Sequence, residues 1–160
     1  MLKKLWIVLL VALNIGCDQV SKEIVRDTVL PMEYIQVAGD YFILTNVENT
    51  GAMLGFGQDF TPIIKLIFLQ ALPVLVLCIL LINILMKKNL EKASILAFAF
   101  VIGGGIGNLI DRIAYGSVTD FFQIKLGFFK TGIFNMADVS VTVGVLLILF
   151  LSIRHEKIIL

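Results

Sequence analysis

Between Asn108 and Asp138 the chain carries side chains of the types and spacing needed for chemistry on a carbonyl. They read Asn108-Leu109-Ile110-Asp111-Arg112, then Val118-Thr119-Asp120-Phe121-Phe122, then Phe134-Asn135-Met136-Ala137-Asp138. Three carboxylates, one guanidinium and two carboxamides thus stand between one long apolar run and another. Polar groups at such depth are costly and mark a functional site by default. Two carboxylates that approach to hydrogen-bonding distance cannot both ionise easily, so the pair holds one proton near neutral pH. The ionised member can take a proton from water as that water attacks a carbonyl, and the neutral member can donate to the carbonyl oxygen. Asp120 and Asp138 are the candidate pair, and this chemistry needs no metal or cofactor.

Asn135-Met136-Ala137-Asp138 has the pattern of a capped helix start, with Asn at the cap and an acid three residues on. Asp138 would then sit at the positive end of a helix, which favours its charged form. This makes Asp138 the base and Asp120 the protonated partner. The same residues also admit a cap without chemistry and an ordinary interfacial acid. The two aspartates are too far apart for one helix face, so pairing requires the intervening segment to fold back.

The elements that must position this cluster are membrane helices. The chain has 160 residues, of which 59% are hydrophobic, and a mean hydropathy of +0.99. A soluble domain is about half apolar. Net charge is +1, which leaves no basic field for nucleic acid. Cys17 and Cys78 lie inside apolar runs and read as small hydrophobes rather than a disulfide. Two cysteines and one histidine argue against a zinc site. His155 sits in the charged tail, on the far side of the membrane from the cluster, so Ser-His-Asp and Cys-His arrangements are out of reach.

A single membrane domain over 1–160 follows, with four spans at about 5–25, 62–86, 93–113 and 137–153. Lys3-Lys4 before an apolar run resembles the start of a secretory signal; with three further spans behind it, this is an uncleaved first helix of about 20 residues. Asn14, Asp18 and Lys22 fall on one face of it at four-residue spacing. An Asp18–Lys22 ion pair that only holds helices together is the structural alternative there. Segment 26–61 carries two strand-like runs, Tyr34–Val37 and Tyr41–Leu44, around a Gly-Asp turn. This predicts a small β-rich segment on the membrane. Asn49-Thr50-Gly51-Ala52 follows, with glycines that permit close backbone approach or an ordinary turn. Pro73 predicts a kink in the second span.

In the third span Gly103-Gly104-Gly105 and Gly107 make one surface thin, either for a neighbouring helix or for a ligand chain. Gly104, Asn108 and Arg112 share a face, with Asp111 beside Asn108. Segment 114–136, with Phe121, Phe122, Phe128 and Phe129, reads as an interfacial loop. Lys3, Lys4, Lys87, Lys88, Lys92, Arg154 and Lys157 place both termini and the Lys87–Lys92 turn on the cytoplasmic side. The aspartates then fall on the outer side.

Three other readings compete. A proton- or ion-coupled transporter would use intramembrane Asp, Asn and Arg as a relay, but the chain shows no internal repeat and its acids gather at one face. A non-catalytic assembly subunit would tolerate Asn at positions 120 and 138. A Ser-Lys peptidase would have to bring Lys22 to Ser21 or Ser140, and helical neighbours 21 and 22 point apart.

The blocks Asp18…Lys22, Asn49-x-Gly51-Ala52, Gly107-Asn108-x-x-Asp111-Arg112, Val118-x-Asp120-Phe121 and Phe134-Asn135-x-Ala137-Asp138, in that order, resemble bacterial lipoprotein signal peptidase, signal peptidase II. The resemblance covers nearly the whole chain, including its length and four-span topology. It implies an aspartic endopeptidase of the bacterial inner membrane that cuts on the N-terminal side of a diacylglyceryl-cysteine in lipid-modified prolipoproteins. It implies Asp120 and Asp138 as the catalytic pair. Asn49, Gly51, Ala52, Asn108, Arg112 and Asn135 would line the site or hold substrate, with Asp18, Lys22 and Asp111 in support. It also implies a monomer working among membrane lipids, without metal, cofactor or nucleic acid, and open to the inhibitor globomycin. Met53 and Leu54 depart from the family's pattern of a small residue and then an aromatic after the Gly-Ala pair.

Overall fold

A computed structural model describes residues 2–87 and 90–154. Four helices are long and apolar enough to cross a membrane: α1 (Leu2–Thr28), α2 (Pro62–Met86), α3 (Lys92–Tyr115) and α4 (Met136–Ile153). Their bounds enclose residues 5–25, 62–86, 93–113 and 137–153. The charged tail from His155 onward, with Glu156 and Lys157, and Lys88-Asn89 of the α2–α3 turn lie outside the described residues.

Helix α3 is the central element. In its most apolar stretch 56% of residues are buried, against 17% or fewer in the other three. Its glycines explain how. A Cβ on Gly103 would stand 2.5 Å from the Asn14 Cβ of α1, one on Gly104 2.4 Å from the Ala137 carbonyl oxygen of α4, and one on Gly105 2.8 Å from Leu77 of α2. Gly107 meets the Asp18 carboxylate at 2.5 Å by the same construction. Small residues replace apolar driving force inside lipid, where close backbone approach holds helices together. The thin face of α3 is therefore filled by protein, and the alternative of a lipid-chain groove along it is overturned. The outward faces of α1, α2 and α4 carry exposed Leu, Ile, Val and Phe, as lipid contact requires. Both cysteines lie free on these outer faces.

Pro73 acts through a π-helical turn, Leu66–Ala71, immediately before it. Proline has no N–H and crowds the carbonyl one turn back, and a wider turn accommodates both defects. The bulge lies beside the end of α3, where Gln70 Nε2 donates to the Arg112 carbonyl oxygen at 3.2 Å.

Two strands follow α1 as expected, β1 (Tyr34–Ala38) and β2 (Phe42–Asn49), the second running five residues further than the sequence indicated. Segment 114–136 is not the loop that the sequence suggested. Gly116 caps α3 in the left-handed conformation, at φ 76°, and the chain enters β3 (Val118–Leu126), which turns into the short β4 (Phe129–Lys130). All four strands form one antiparallel sheet in the order β1-β2-β3-β4. Phe121 and Phe122 are interior residues of it. Phe121 is buried with Val25 and Val29 at the end of α1, and Phe122 stacks with Phe42 at 4.9 Å between ring centroids. Only Phe128 and Phe129, in the β3–β4 hairpin, are exposed.

Candidate active site

Sheet register sets the first half of the site. Val47 pairs with Asp120 and Asn49 with Val118 across β2 and β3. Side chains alternate faces along a strand, so Asn49 and Asp120 are diagonal neighbours on one face. Asn49 Nδ2 donates to Asp120 Oδ2 at 2.9 Å and to the Ala52 carbonyl oxygen at 3.1 Å. Its Oδ1 accepts from the Gly51 N–H at 3.0 Å, closing an Asx turn. A Cβ on Gly51 would lie 2.7 Å from the backbone of Gly55 and Phe56. Position 51 thus requires glycine because the chain doubles back on it. The returning segment is a 3-10 turn, Met53–Gly55, in which Leu54 holds a left-handed φ of 57°.

The capped start of α4 supplies the second half. Asn135 Oδ1 accepts from the Asp138 N–H at 3.0 Å, and Asp138 Oδ2 accepts from the Asn135 N–H at 3.1 Å. This is the reciprocal capping box expected from Asn135-x-x-Asp138. The Asn135 side-chain amide reaches further, donating to Asp120 Oδ1 at 2.6 Å and to Asn108 Oδ1 at 3.1 Å. Asn108 Nδ2 in turn donates to Asp138 Oδ1 at 2.9 Å. Both carboxylates are therefore tied to one fully buried asparagine.

Asp120 is 5% exposed. Its pKa is raised to about 6, chiefly by burial; the amide hydrogen bond from Asn49 lowers it, the Asp138 charge raises it, and the Asn135 hydrogen bond and Lys22 lower it. A group so placed keeps its proton to higher pH than an exposed aspartate does.

Behind the aspartates lies a buried ion cluster. Lys22 Nζ is 2.8 Å from Asp18 Oδ2, 2.9 Å from Asp111 Oδ2 and 2.8 Å from Asn108 Oδ1. Lys22, Asp18 and Asp111 are all fully buried. Asp18 Oδ1 also accepts the Ala137 N–H at 2.8 Å, which fastens the first turn of α4 to α1. Gln19, whose role the sequence did not reveal, donates to both Asp18 and Asp111. Asp18, Lys22 and Asp111 thus link α1, α3 and α4, and through Asn108 they also orient a side chain on Asp138. Asp111 and Arg112 diverge. Arg112 turns the other way, its Nη2 donating to the Gly51 carbonyl oxygen at 3.1 Å. Its Nε is buried and has no hydrogen-bond partner among the described residues.

Asn49, Ala52, Asn108, Arg112, Asp120 and Asp138 line a cavity of about 560 Å³. Its remaining walls are largely apolar, with Val139 and Val143 of α4, Ile133 and Phe134 ahead of it, and Met53 and Leu54 of the 3-10 turn. Asn49, Asn108 and Arg112 are the polar side chains of the sequence-predicted set that share the wall with the aspartates. Asn135 stands behind it. Among the described residues no group of three His, Cys, Asp or Glu side chains converges to hold a metal ion. The arrangement suits acid–base chemistry in a partly apolar cavity.

Comparison with known proteins gives one consistent answer. The family model described as Signal peptidase (SPase) II matches residues 10–154. The lipoprotein signal peptidase of Azoarcus sp. (strain BH72) is 35% identical over 152 residues, covering 95% of this chain and 84% of its own. That of Chlorobium phaeobacteroides is 36% identical over 156 residues, covering 92% and 90%. A bacterial membrane enzyme solved by the in meso method at 2.3 Å resolution superposes with a TM-score of 0.83 at 26% identity, covering 94% of this chain and 89% of the other.

Proposed function

The chain belongs to the signal peptidase II family, and on that premise we propose that Asp120 and Asp138 are the catalytic dyad with which it removes signal peptides from lipid-modified prolipoproteins. The observation that carries this reading is the shared tether. Asn135 hydrogen-bonds both carboxylates in the wall of one cavity.

The reaction is hydrolysis of the peptide bond on the N-terminal side of the diacylglyceryl-cysteine. The Asp138 carboxylate takes a proton from water, and the water oxygen attacks the scissile carbonyl carbon. The Asp120 carboxyl donates its proton to the carbonyl oxygen. The resulting gem-diol collapses: one of its hydroxyl protons returns to Asp120, the C–N bond breaks, and the proton gained by Asp138 passes to the leaving amine of the cysteine. Arg112 faces the same cavity with a buried Nε–H that has no partner among the described residues and holds a substrate backbone carbonyl. The apolar wall of α4 receives the lipid-bearing end. Met53 and Leu54, 83% and 74% exposed, cover the substrate from above.

The protein works as a monomer and a single membrane domain in the bacterial inner membrane, with both termini cytoplasmic and the dyad on the outer side. Lys3 Nζ donates to the Lys87 carbonyl oxygen at 3.1 Å, which supports a common side for the basic N-terminus and the α2–α3 turn. Membrane lipids surround it, and globomycin binds in the dyad cavity.

The test is cleavage of a diacylglyceryl-modified prolipoprotein in liposomes by wild type, Asp120→Asn and Asp138→Asn. Cutting before the lipidated cysteine by wild type, abolished in both folded variants, supports the dyad. Cutting by either variant removes it.

A further inference from the structure

The two strands that carry Asn49 and Asp120 also present a second face. Glu48 and Thr119 are direct partners across β2 and β3, on the face opposite the cavity. Thr119 Oγ1 donates to Glu48 Oε1 at 2.7 Å, and the Ser117 hydroxyl donates to Glu48 Oε2. Arg26, in the last turn of α1, donates its Nε–H to Thr119 Oγ1 at 2.8 Å. The guanidinium also meets Asp111 of α3 as an ion pair, Nη2 to Oδ1 at 3.1 Å, without the alignment of a hydrogen bond. It lies over the Tyr115 ring at 4.3 Å. Thr119 is buried completely.

We propose that Arg26 is a positioning residue: through the Thr119 hydroxyl and Glu48 it clamps β3 to β2 and to the helices from behind, and so fixes Asp120 against Asn49 and Asn135 in front. The inference rests on the dyad reading above. The geometry leaves little alternative use for these groups. Arginine stays protonated, so the chain from Asp111 through Arg26 to Glu48 cannot pass a proton. Its effect is mechanical and electrostatic. Thr119 is covalently next to Asp120, and a displacement of about 1 Å at a reacting group can reduce turnover about 100-fold.

Three substitutions separate positioning from mere support. Arg26→Lys keeps a charge opposite Asp111 but cannot reproduce the planar Nε–H to Thr119. Thr119→Val keeps the shape and loses the hydroxyl, and Thr119→Ser keeps the hydroxyl. In liposomes containing diacylglyceryl-modified prolipoprotein, Arg26→Lys and Thr119→Val are expected to lower kcat about 10-fold with KM little changed. Thr119→Ser is expected to restore it.

The pH profile gives a second readout. Lys22 of α1, Arg112 of α3 and Asp138 of α4 are the charged groups that bear on Asp120. If the amide of Asn49 slips from the carboxylate, the charged form loses a hydrogen bond. The limb of kcat/KM that reports loss of the Asp120 proton then moves to higher pH. Wild-type kcat and an unmoved limb in both Arg26→Lys and Thr119→Val overturn the proposal. So does a Thr119→Ser as impaired as Thr119→Val, or a loss confined to the amount of folded protein. Asp120→Asn, run alongside, tells this failure from that of the dyad: if it still cuts, the underlying reading falls instead.

Discussion

Asn135 donates its side-chain amide to Asp120 across 2.6 Å while its own backbone N–H is bound by Asp138. One asparagine thus sets the helix cap and the relation between two carboxylates. Asn135→Ala should lower kcat about 100-fold, the scale of losing one preorganised donor, and destabilise the protein by about 1 kcal/mol through loss of the cap. Steady-state kinetics and melting in the same detergent separate the two effects, and a variant that loses only stability would show that the tether is not needed for turnover.

Asp120 should leave its mark on stability as a function of pH. Its carboxyl titrates at about 6 when folded, against about 3.9 for an unfolded aspartate. The folded chain therefore binds the extra proton between those values, and Asp120 destabilises increasingly as pH rises through 6. The melting temperature of Asp120→Asn relative to wild type should rise between pH 4 and pH 8. A pH-independent difference would show that burial does not hold the proton there.

Lys22 is surrounded by Asp18, Asp111 and Asn108 with no solvent contact. Lys22→Met leaves Asp18 buried without its counter-ion and Asp111 with Arg26 alone, a change that costs roughly 3–5 kcal/mol. The expected result is loss of folded protein rather than a slow enzyme, read as recovery from size-exclusion chromatography in detergent.

Two glycines in membrane helices should behave oppositely. Gly104→Ala drives a methyl to 2.4 Å from the Ala137 carbonyl oxygen, in the first helical turn beside Asp138. It should cost on the order of 1–3 kcal/mol and slow turnover. Gly16→Ala meets nothing within 4 Å and should match wild type in both melting and kinetics.

The helices and the cap that holds Asp138 were legible because their signals are local. Apolar runs announce spans, and Asn135-x-x-Asp138 announces a cap by spacing alone. Strand β3 was not legible. Phe121 and Phe122 are covered on both faces of the sheet, one against α1 and one against Phe42, so the alternation that marks a half-buried strand is missing. The back-face cluster was hidden for a related reason. Thr119 and Glu48 meet only through strand register, and Arg26 reaches them from a helix far away in sequence. The glycines of α3 were ambiguous in kind, since a bare helix face serves a helix and a ligand equally well until the neighbours are known.

The ion cluster around Lys22 also constrains how the protein is made. Asp18 and Lys22 lie one turn apart on the same helix and face each other at 2.8 Å, so this pair can enter the bilayer neutralised within α1 before anything follows it. Asp111 has no such companion on its own segment, because its neighbour Arg112 points away toward Gly51. Helix α3 brings a bare acid whose counter-ions, Lys22 and Arg26, already wait on α1. Insertion of the third helix is therefore tied to docking against the first. Biogenesis should stall with α3 outside the bilayer when α1 lacks its cations, before any question of catalysis arises.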